Sequence, residues 1–166
     1  MKKSYVSILM VLALLGLAAS VALAGTTATQ TVTYSVSAIN EISASGDPAA
    51  LNITTAVAGS EPSTATNAVT TYSISTNETG KKITAVINTD VAAGTLKINL
   101  ADPDGAGAAT SLGDVTLSSA PADCVTGIDS QAASAKTITY KFSAVIADGI
   151  IGSTNKTVTL TLMDEA

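Results

Sequence analysis

The sequence contains no histidine, no tryptophan and no arginine, and it has only one cysteine. Without histidine, a Ser-His-Asp triad, a Cys-His pair and a histidine-ligated metal site are excluded. The absence of arginine and a formal net charge of −5 argue against binding to the phosphate backbone of nucleic acids. Aromatic residues make up 3% of the chain, which is few for a sugar-stacking surface. These absences predict a protein without nucleic-acid partners.

Two kinds of catalytic chemistry stay formally open, because lysines and carboxylates are present. A Ser-Lys pair needs a lysine with a depressed pKa in a pocket, but the lysines after residue 24 lie among polar strand or turn positions. A glycosidase needs two opposed carboxylates. We predict that the protein is not an enzyme, with no catalytic residues and no bound cofactor.

Residues 1–24 have the three regions of a secretory signal in the expected order. Two lysines and an apolar run are followed by Ala22 and Ala24, which supply the small-x-small pattern of a signal peptidase site. We predict cleavage between Ala24 and Gly25 and secretion to the extracellular space or cell surface. Residues 25–166 would then form one domain without a membrane span, and a retained N-terminal anchor is the alternative.

The chain after residue 25 is rich in threonine, serine, valine, isoleucine and alanine, a composition that suits β-strands. Apolar and polar residues alternate in short runs that turn residues separate, as strands with one buried face require. The runs are 31–38, 51–53, 72–74, 83–87, 96–100, 115–117, 138–146 and 158–162. They predict an all-β fold: a single β-sandwich of immunoglobulin-like or jelly-roll type with about eight or nine strands.

The few bulky or reactive side chains are assigned to the core. Tyr34, Tyr72, Tyr140 and Phe142 are the aromatic residues after residue 25, and each lies on the apolar side of its run. Cys124 is predicted to be a small buried apolar residue. The alternative for a lone cysteine in a secreted chain is a disulfide between two molecules.

Asp102, Asp104 and Asp114 offer carboxylate oxygens in and after one loop. Calcium prefers such ligands, and extracellular calcium is plentiful enough for weak sites. The loop lacks the full EF-hand spacing, and aspartate, proline and glycine are also the residues of an ordinary turn. The composition favours the turn, and calcium remains the one cofactor that the sequence leaves open.

Three Asn-x-Thr steps match the acceptor pattern for N-glycosylation. They begin at Asn52, Asn77 and Asn155. Asn77 and Asn155 lie in predicted turns, whereas Asn52 lies on a predicted strand edge.

The start of the mature chain is extended. Residues 25–30 lead without a turn residue into the alternating run 31–38. Such a segment is either the first strand of its own domain, which is the commoner arrangement, or a strand donated to the open sheet edge of another subunit, with 25–38 exchanged. In the second case, the subunit contact would involve Thr31, Val32, Thr33, Tyr34, Val36 and Ala38.

The layout resembles secreted prokaryotic β-sandwich filament subunits, the donor-strand type of pilus or thread protein. The features that carry the resemblance are the signal ending at Ala24, the start 25–30, and the strands around Tyr34, Tyr72 and Tyr140. The chain departs from chaperone–usher pilins because it lacks their paired cysteines. The resemblance implies a structural protein that assembles with itself into filaments or a matrix for adhesion. The alternative is a monomeric secreted binding or adhesion module.

Overall fold

The computed structural model describes residues 26–103 and 109–165. The predicted signal segment, with its cleavage site at Ala22, Ala24 and Gly25, lies outside the described residues. The same is true of Asp104.

The chain divides into two units, Met1–Ser35 and Val36–Ala166. Within the first unit, residues 26–35 contain no helix or strand, and every one of them is exposed. The second unit contains all the strands of the described chain.

The described residues form nine strands and one short 3₁₀-helix, Ile146–Asp148. The strands are β1 (Asn40–Ala44), β2 (Ala65–Thr76), β3 (Lys81–Ile87), β4 (Thr95–Leu100), β5 (Thr110–Ser111), β6 (Val115–Thr116), β7 (Ala122–Ile128), β8 (Ala132–Ser143) and β9 (Val158–Asp164). They make a five-stranded sheet, β1-β2-β8-β4-β6, and a four-stranded sheet, β5-β7-β3-β9. All pairings are antiparallel.

Side chains from both sheets meet in one hydrophobic core cluster. Ile98 and Ile138 enter it from the five-stranded sheet, and Ile83 and Val125 enter it from the four-stranded sheet. Each is almost completely buried, and burial of a side chain of this size contributes about 1.5–3 kcal/mol. The alternation of apolar and polar residues therefore specifies the inward face of each sheet.

Within the described residues, the prediction of an all-β fold without a long helix is confirmed. The runs that begin near Tyr72, Ile83, Leu96, Ile138 and Val158 form β2, β3, β4, β8 and β9. Within these strands the apolar members of the alternating pattern are buried or half-buried. The predicted run 138–146 is too long, because β8 ends at Ser143 and Ile146 lies exposed in the 3₁₀-helix.

Two strand predictions are wrong. Residues 31–38 form no strand, and the first strand of the described chain begins at Asn40. Residues 51–53 lie in the β1–β2 loop, where the only bridge joins Ala56 and Pro62. The assignment of Tyr34 to the core is also wrong, because this side chain is 89% exposed. Alternation defines the two faces of an extended segment, but it does not supply a partner strand.

Strand β7 was not predicted, because its sequence does not alternate. Consecutive residues Cys124 and Val125 are both buried. The pairing of β7 with β3 shifts register on both sides of Ile83. At such an irregularity two residues of one strand lie opposite one residue of its partner, and this breaks the two-residue period of buried and exposed side chains.

Cys124 is a core residue. Its side chain is completely buried, and burial raises the pKa of its thiol to about 11. The structure thus favours the buried interpretation over a disulfide between two molecules, because the folded chain gives the sulfur no exposed surface.

We expect the Cys124 thiol to react at pH 8 at least about 100-fold more slowly in the folded protein than in denaturant. The raised pKa lowers the reactive thiolate fraction, and burial excludes the reagent. The rate of disulfide exchange with a chromogenic reagent measures this directly. Equal rates in the two states would show that Cys124 is accessible.

Candidate subunit-assembly site

Residues 26–39, here called the N-terminal arm, form no strand, and each of them is exposed. Val32, Tyr34 and Val36 are 77%, 89% and 79% exposed. In an extended chain successive side chains point to opposite faces, so these three would share one face when the arm is extended. That face would be an apolar stripe of exposed side chains.

The composition of the arm suits it to pair with another strand. It contains no charged residue, no proline and no glycine, and it is built largely from threonine, serine, valine and alanine. Segments with high β propensity and no charge or proline readily add to a sheet edge. Burial of its three large apolar side chains would contribute about 1.5–3 kcal/mol each.

Asn77 fixes the point at which the arm joins β1. The backbone N–H of Ile39 donates to Oδ1 of Asn77 at 2.8 Å, and Nδ2 of Asn77 donates to the carbonyl of Ser37 at 2.9 Å. The backbone N–H of Asn77 also donates to the carbonyl of Ile39 at 3.2 Å. These hydrogen bonds hold the backbone of residues 37–39 against the β2–β3 turn. The sequence marked Asn77 as a glycan acceptor and gave no sign of this role.

An ion-pair network continues from that turn to the last strand. Nδ2 of Asn40 donates to Oε2 of Glu78 at 2.6 Å, and Nζ of Lys81 lies 2.7 Å from the same oxygen. Lys81 also pairs with Asp164 of β9. Hydrogen bonds to Asp164 and Glu78 raise the pKa of Lys81, and the bond from Lys81 lowers the pKa of Glu78. The network ties β1, the β2–β3 turn and β9 together at one end of the sheets.

Strand β9 is an edge strand of the four-stranded sheet, and β1 of the other sheet lies near it without pairing. It pairs with β3 alone, from Ile87 opposite Val158 to Lys81 opposite Asp164, without a shift in register. The core-facing side chains of β9, Val158, Leu160 and Leu162, pack on the core but remain only half-buried. An additional strand beside β9 would cover them further.

The direction of the free backbone groups of β9 follows from its ends. The carbonyl of Thr157 accepts from the N–H of Asn88, and the N–H of Glu165 donates to the carbonyl of Gly80. Both residues therefore face β3. In an antiparallel pair, backbone groups alternate between the two sides, so those of Val158, Leu160 and Leu162 face the open edge.

A second surface feature is an open concavity of about 530 Å³. It is lined by residues 56–61 and by Ile146. Val57 and Ile146 are both exposed there, and the N–H of Ile146 donates to Oε2 of Glu61 at 2.7 Å. Its lining is mainly apolar, with the polar side chains of Ser60 and Glu61.

The aspartates named as calcium candidates have other partners. Oδ1 of Asp102 accepts from the backbone N–H of Ser111. Asp114 pairs with Nζ of Lys141 at 2.7 Å and accepts from Asn99 at 3.2 Å. Among the described residues, no group of three acidic or cysteine side chains is arranged to hold a metal ion. The calcium hypothesis stays a prediction, with Asp104 outside the described residues.

Acid is expected to weaken the fold partly through Asp114. Hydrogen bonds from Lys141 and then Asn99 lower the pKa of this carboxyl. A lowered pKa stabilises the folded state above about pH 4, and this contribution is lost as the pH falls through the lowered value. Asp114→Asn should therefore reduce the loss of unfolding free energy between pH 7 and pH 3, measured by urea unfolding. An unchanged pH dependence would contradict this assignment.

The predicted glycan acceptors are all exposed, in loops or turns. Asn52 lies in the β1–β2 loop rather than on a strand edge, and Asn155 lies in the segment before β9. Asn77 is the acceptor whose amide is already hydrogen-bonded to the arm.

Comparison of the chain with protein-family models, with curated proteins and with solved structures gave no significant match. Within residues 26–103 and 109–165, no helix has the length and apolar character needed to cross a membrane.

Proposed function

We propose that the protein is a non-enzymatic, secreted structural subunit that assembles with itself by donating its N-terminal arm to a neighbouring subunit. The product is an extracellular or surface filament or matrix, and the predicted signal sequence supplies the export. The two sheets would form a sandwich of immunoglobulin-like or jelly-roll type. The observation that carries the proposal is the uncovered apolar stripe of Val32, Tyr34 and Val36.

The residue types at the base of the arm favour donation to another subunit over folding back onto the same subunit. To lie along its own subunit, the arm would have to reverse direction near residues 35–39. This stretch contains no glycine, proline, asparagine or aspartate, and its turn-forming residues are the two weaker ones, Ser35 and Ser37. Asn77 also holds Ser37 and Ile39 in place. A partner from another molecule satisfies the arm without a reversal.

Strand donation predicts a particular kind of growth. The donor segment and the acceptor edge are different surfaces of one chain, so the contact is head-to-tail. Such a contact forms a ring only if the rotation between neighbouring subunits closes. Otherwise the subunits extend as a filament. Backbone hydrogen bonds along the added strand supply affinity, and the alternate side chains set the register.

Negative-stain electron microscopy of residues 25–166 tests the proposal, beside a truncation that lacks residues 25–38. We expect fibres from the mature chain and monodisperse particles from the truncation. Circular dichroism with a β-sheet spectrum from both samples controls for folding. Monodisperse particles from a well-folded mature chain, at all concentrations, would overturn self-assembly.

A monomeric secreted binding module is the second candidate. The open apolar concavity beside Val57 and Ile146 favours it, because exposed apolar patches often mark interaction sites. This function needs no contribution from the arm. A monodisperse mature chain in the microscopy experiment would favour it over the filament.

A further inference from the structure

We infer that the acceptor for the N-terminal arm is the free edge of strand β9 in a second copy of the chain, and that the arm runs antiparallel to β9. The inference rests on the proposed function and adds the location and direction of the contact.

The other free edges in the described sheets are less suitable. Strands β5 and β6 have two residues each. Strand β1 has five and includes the exposed charge of Glu41, and charges on edge strands discourage pairing. Strand β2 continues beyond β1, but its pairing with β8 shifts register between Asn67 and Thr70, and such irregularities twist an edge away from new partners.

Strand β9 has none of these protections. It is seven residues long, and its register with β3 is unbroken. Its only charged residue is Asp164, at the end of the strand. An uncharged, regular edge of this length is a template for another strand.

The arm and β9 match in pattern. In both segments the even-numbered residues are mainly apolar and the odd-numbered residues are mainly threonine or serine. Pairing in phase would place Val32, Tyr34 and Val36 on the same face as the half-buried Leu160 and Leu162. Threonine and serine would form the outer face, where cross-strand threonine pairs are favourable.

The antiparallel direction follows from the ends of the strands. Ile39, at the base of the arm, bonds to Asn77 beside the β2–β3 turn, and Asp164 pairs with Lys81 after the same turn. Suppose that a second subunit stacks on this end in the same orientation. The end of the second subunit that lies nearest the arm is then the one where its β9 begins, at Val158. The arm would enter with Val36 near Val158 of that neighbour and run towards its Asp164.

Paired cysteines test the assignment in the full mature chain. Thr161 faces the exposed side of β9, and its backbone faces β3, so a strand added outside would meet it as a non-hydrogen-bonded pair with Cα atoms about 4.5 Å apart. This distance suits a disulfide. Thr161→Cys is combined in turn with one arm substitution. The three arm substitutions are Thr31→Cys, Thr33→Cys and Ser35→Cys. The matched controls replace Thr161→Cys with Ser43→Cys on β1.

Assembly is read by electron microscopy under reducing conditions, and cross-linking is read on a non-reducing gel after mild oxidation. We expect a ladder of covalent oligomers from one arm position with Thr161→Cys, and no ladder with Ser43→Cys. When Thr159→Cys is used in place of Thr161→Cys, the arm position that cross-links best should move two residues towards Ala38, as an antiparallel pair requires. A shift towards Thr29 would overturn the direction.

The remaining outcomes separate the inference from the proposed function. Fibres that cross-link through Ser43→Cys, or through neither edge, would overturn the β9 assignment and leave self-assembly intact. A cross-link from the arm to Thr161→Cys within one chain would overturn donation itself. The absence of both fibres and ladders would overturn both proposals.

Discussion

Replacing Tyr34 with lysine is expected to abolish assembly and to leave the stability of the subunit unchanged. Tyr34 is 89% exposed, so the folded subunit loses no packing. In a donated strand the same position would face the core of the neighbour, where an aromatic side chain buries about 150–250 Å². Loss of this burial, together with an unpaired buried charge, should weaken the subunit contact by at least about 100-fold. Sedimentation velocity and electron microscopy measure the change.

The arm itself provides the matched control. Ser35→Lys places the same charge on the next residue, whose side chain would lie on the solvent face of a donated strand. Fibres should survive this substitution. Equal loss of fibres from Tyr34→Lys and Ser35→Lys would mean that neither face is buried specifically, and equal survival would remove Tyr34 from the contact.

Tyr72→Ala is expected to lower the free energy of unfolding by about 3–5 kcal/mol, as for other large aromatic side chains in cores. Tyr72 is 1% exposed, and its hydroxyl donates to the carbonyl of Ala101 at 2.5 Å. Tyr72→Phe keeps the ring but leaves that carbonyl without this donor, which should cost about 1–2 kcal/mol. Urea unfolding followed by circular dichroism measures both.

Tyr34→Ala is the control for the core prediction. It removes the same atoms from an exposed position and should change the unfolding free energy of the unassembled subunit by less than about 0.5 kcal/mol. Similar losses from Tyr34→Ala and Tyr72→Ala would show that Tyr34 packs in the subunit core.

The two tyrosines show what the sequence could predict. Residues 33–38 and 71–76 both read Thr-Tyr-Ser, followed by an aliphatic residue and serine. One segment is a central part of β2 with a buried tyrosine, and the other is the exposed arm. Residue pattern determines which side chains share a face, and this was sufficient for the all-β class and most strands. Whether a face is covered depends on a partner strand, which the local pattern does not specify.

The candidate site was predictable only in part. The sequence identified the arm, because its alternation and lack of turn residues are local properties. The hydrogen bonds that anchor it to Asn77 join residues 38 and 40 positions apart, so no local signal could reveal them. Strand β9 was predicted, but its edge position was not, because strand order depends on long-range pairing. The salt bridge of Asp114 could not be predicted either, because its partner Lys141 is distant in sequence.

The most direct test of the account is amide hydrogen exchange in the arm, compared between the assembled and unassembled fractions of the mature chain. In the unassembled chain the amides of residues 31–37 should exchange at nearly unfolded rates, because they form no strand. In the assembled chain the amides of Val32, Tyr34 and Val36 should slow by at least about 100-fold, and those of Thr33 and Ser35 should remain fast. Equal protection of the arm in both fractions, or no protection in either, would contradict strand donation.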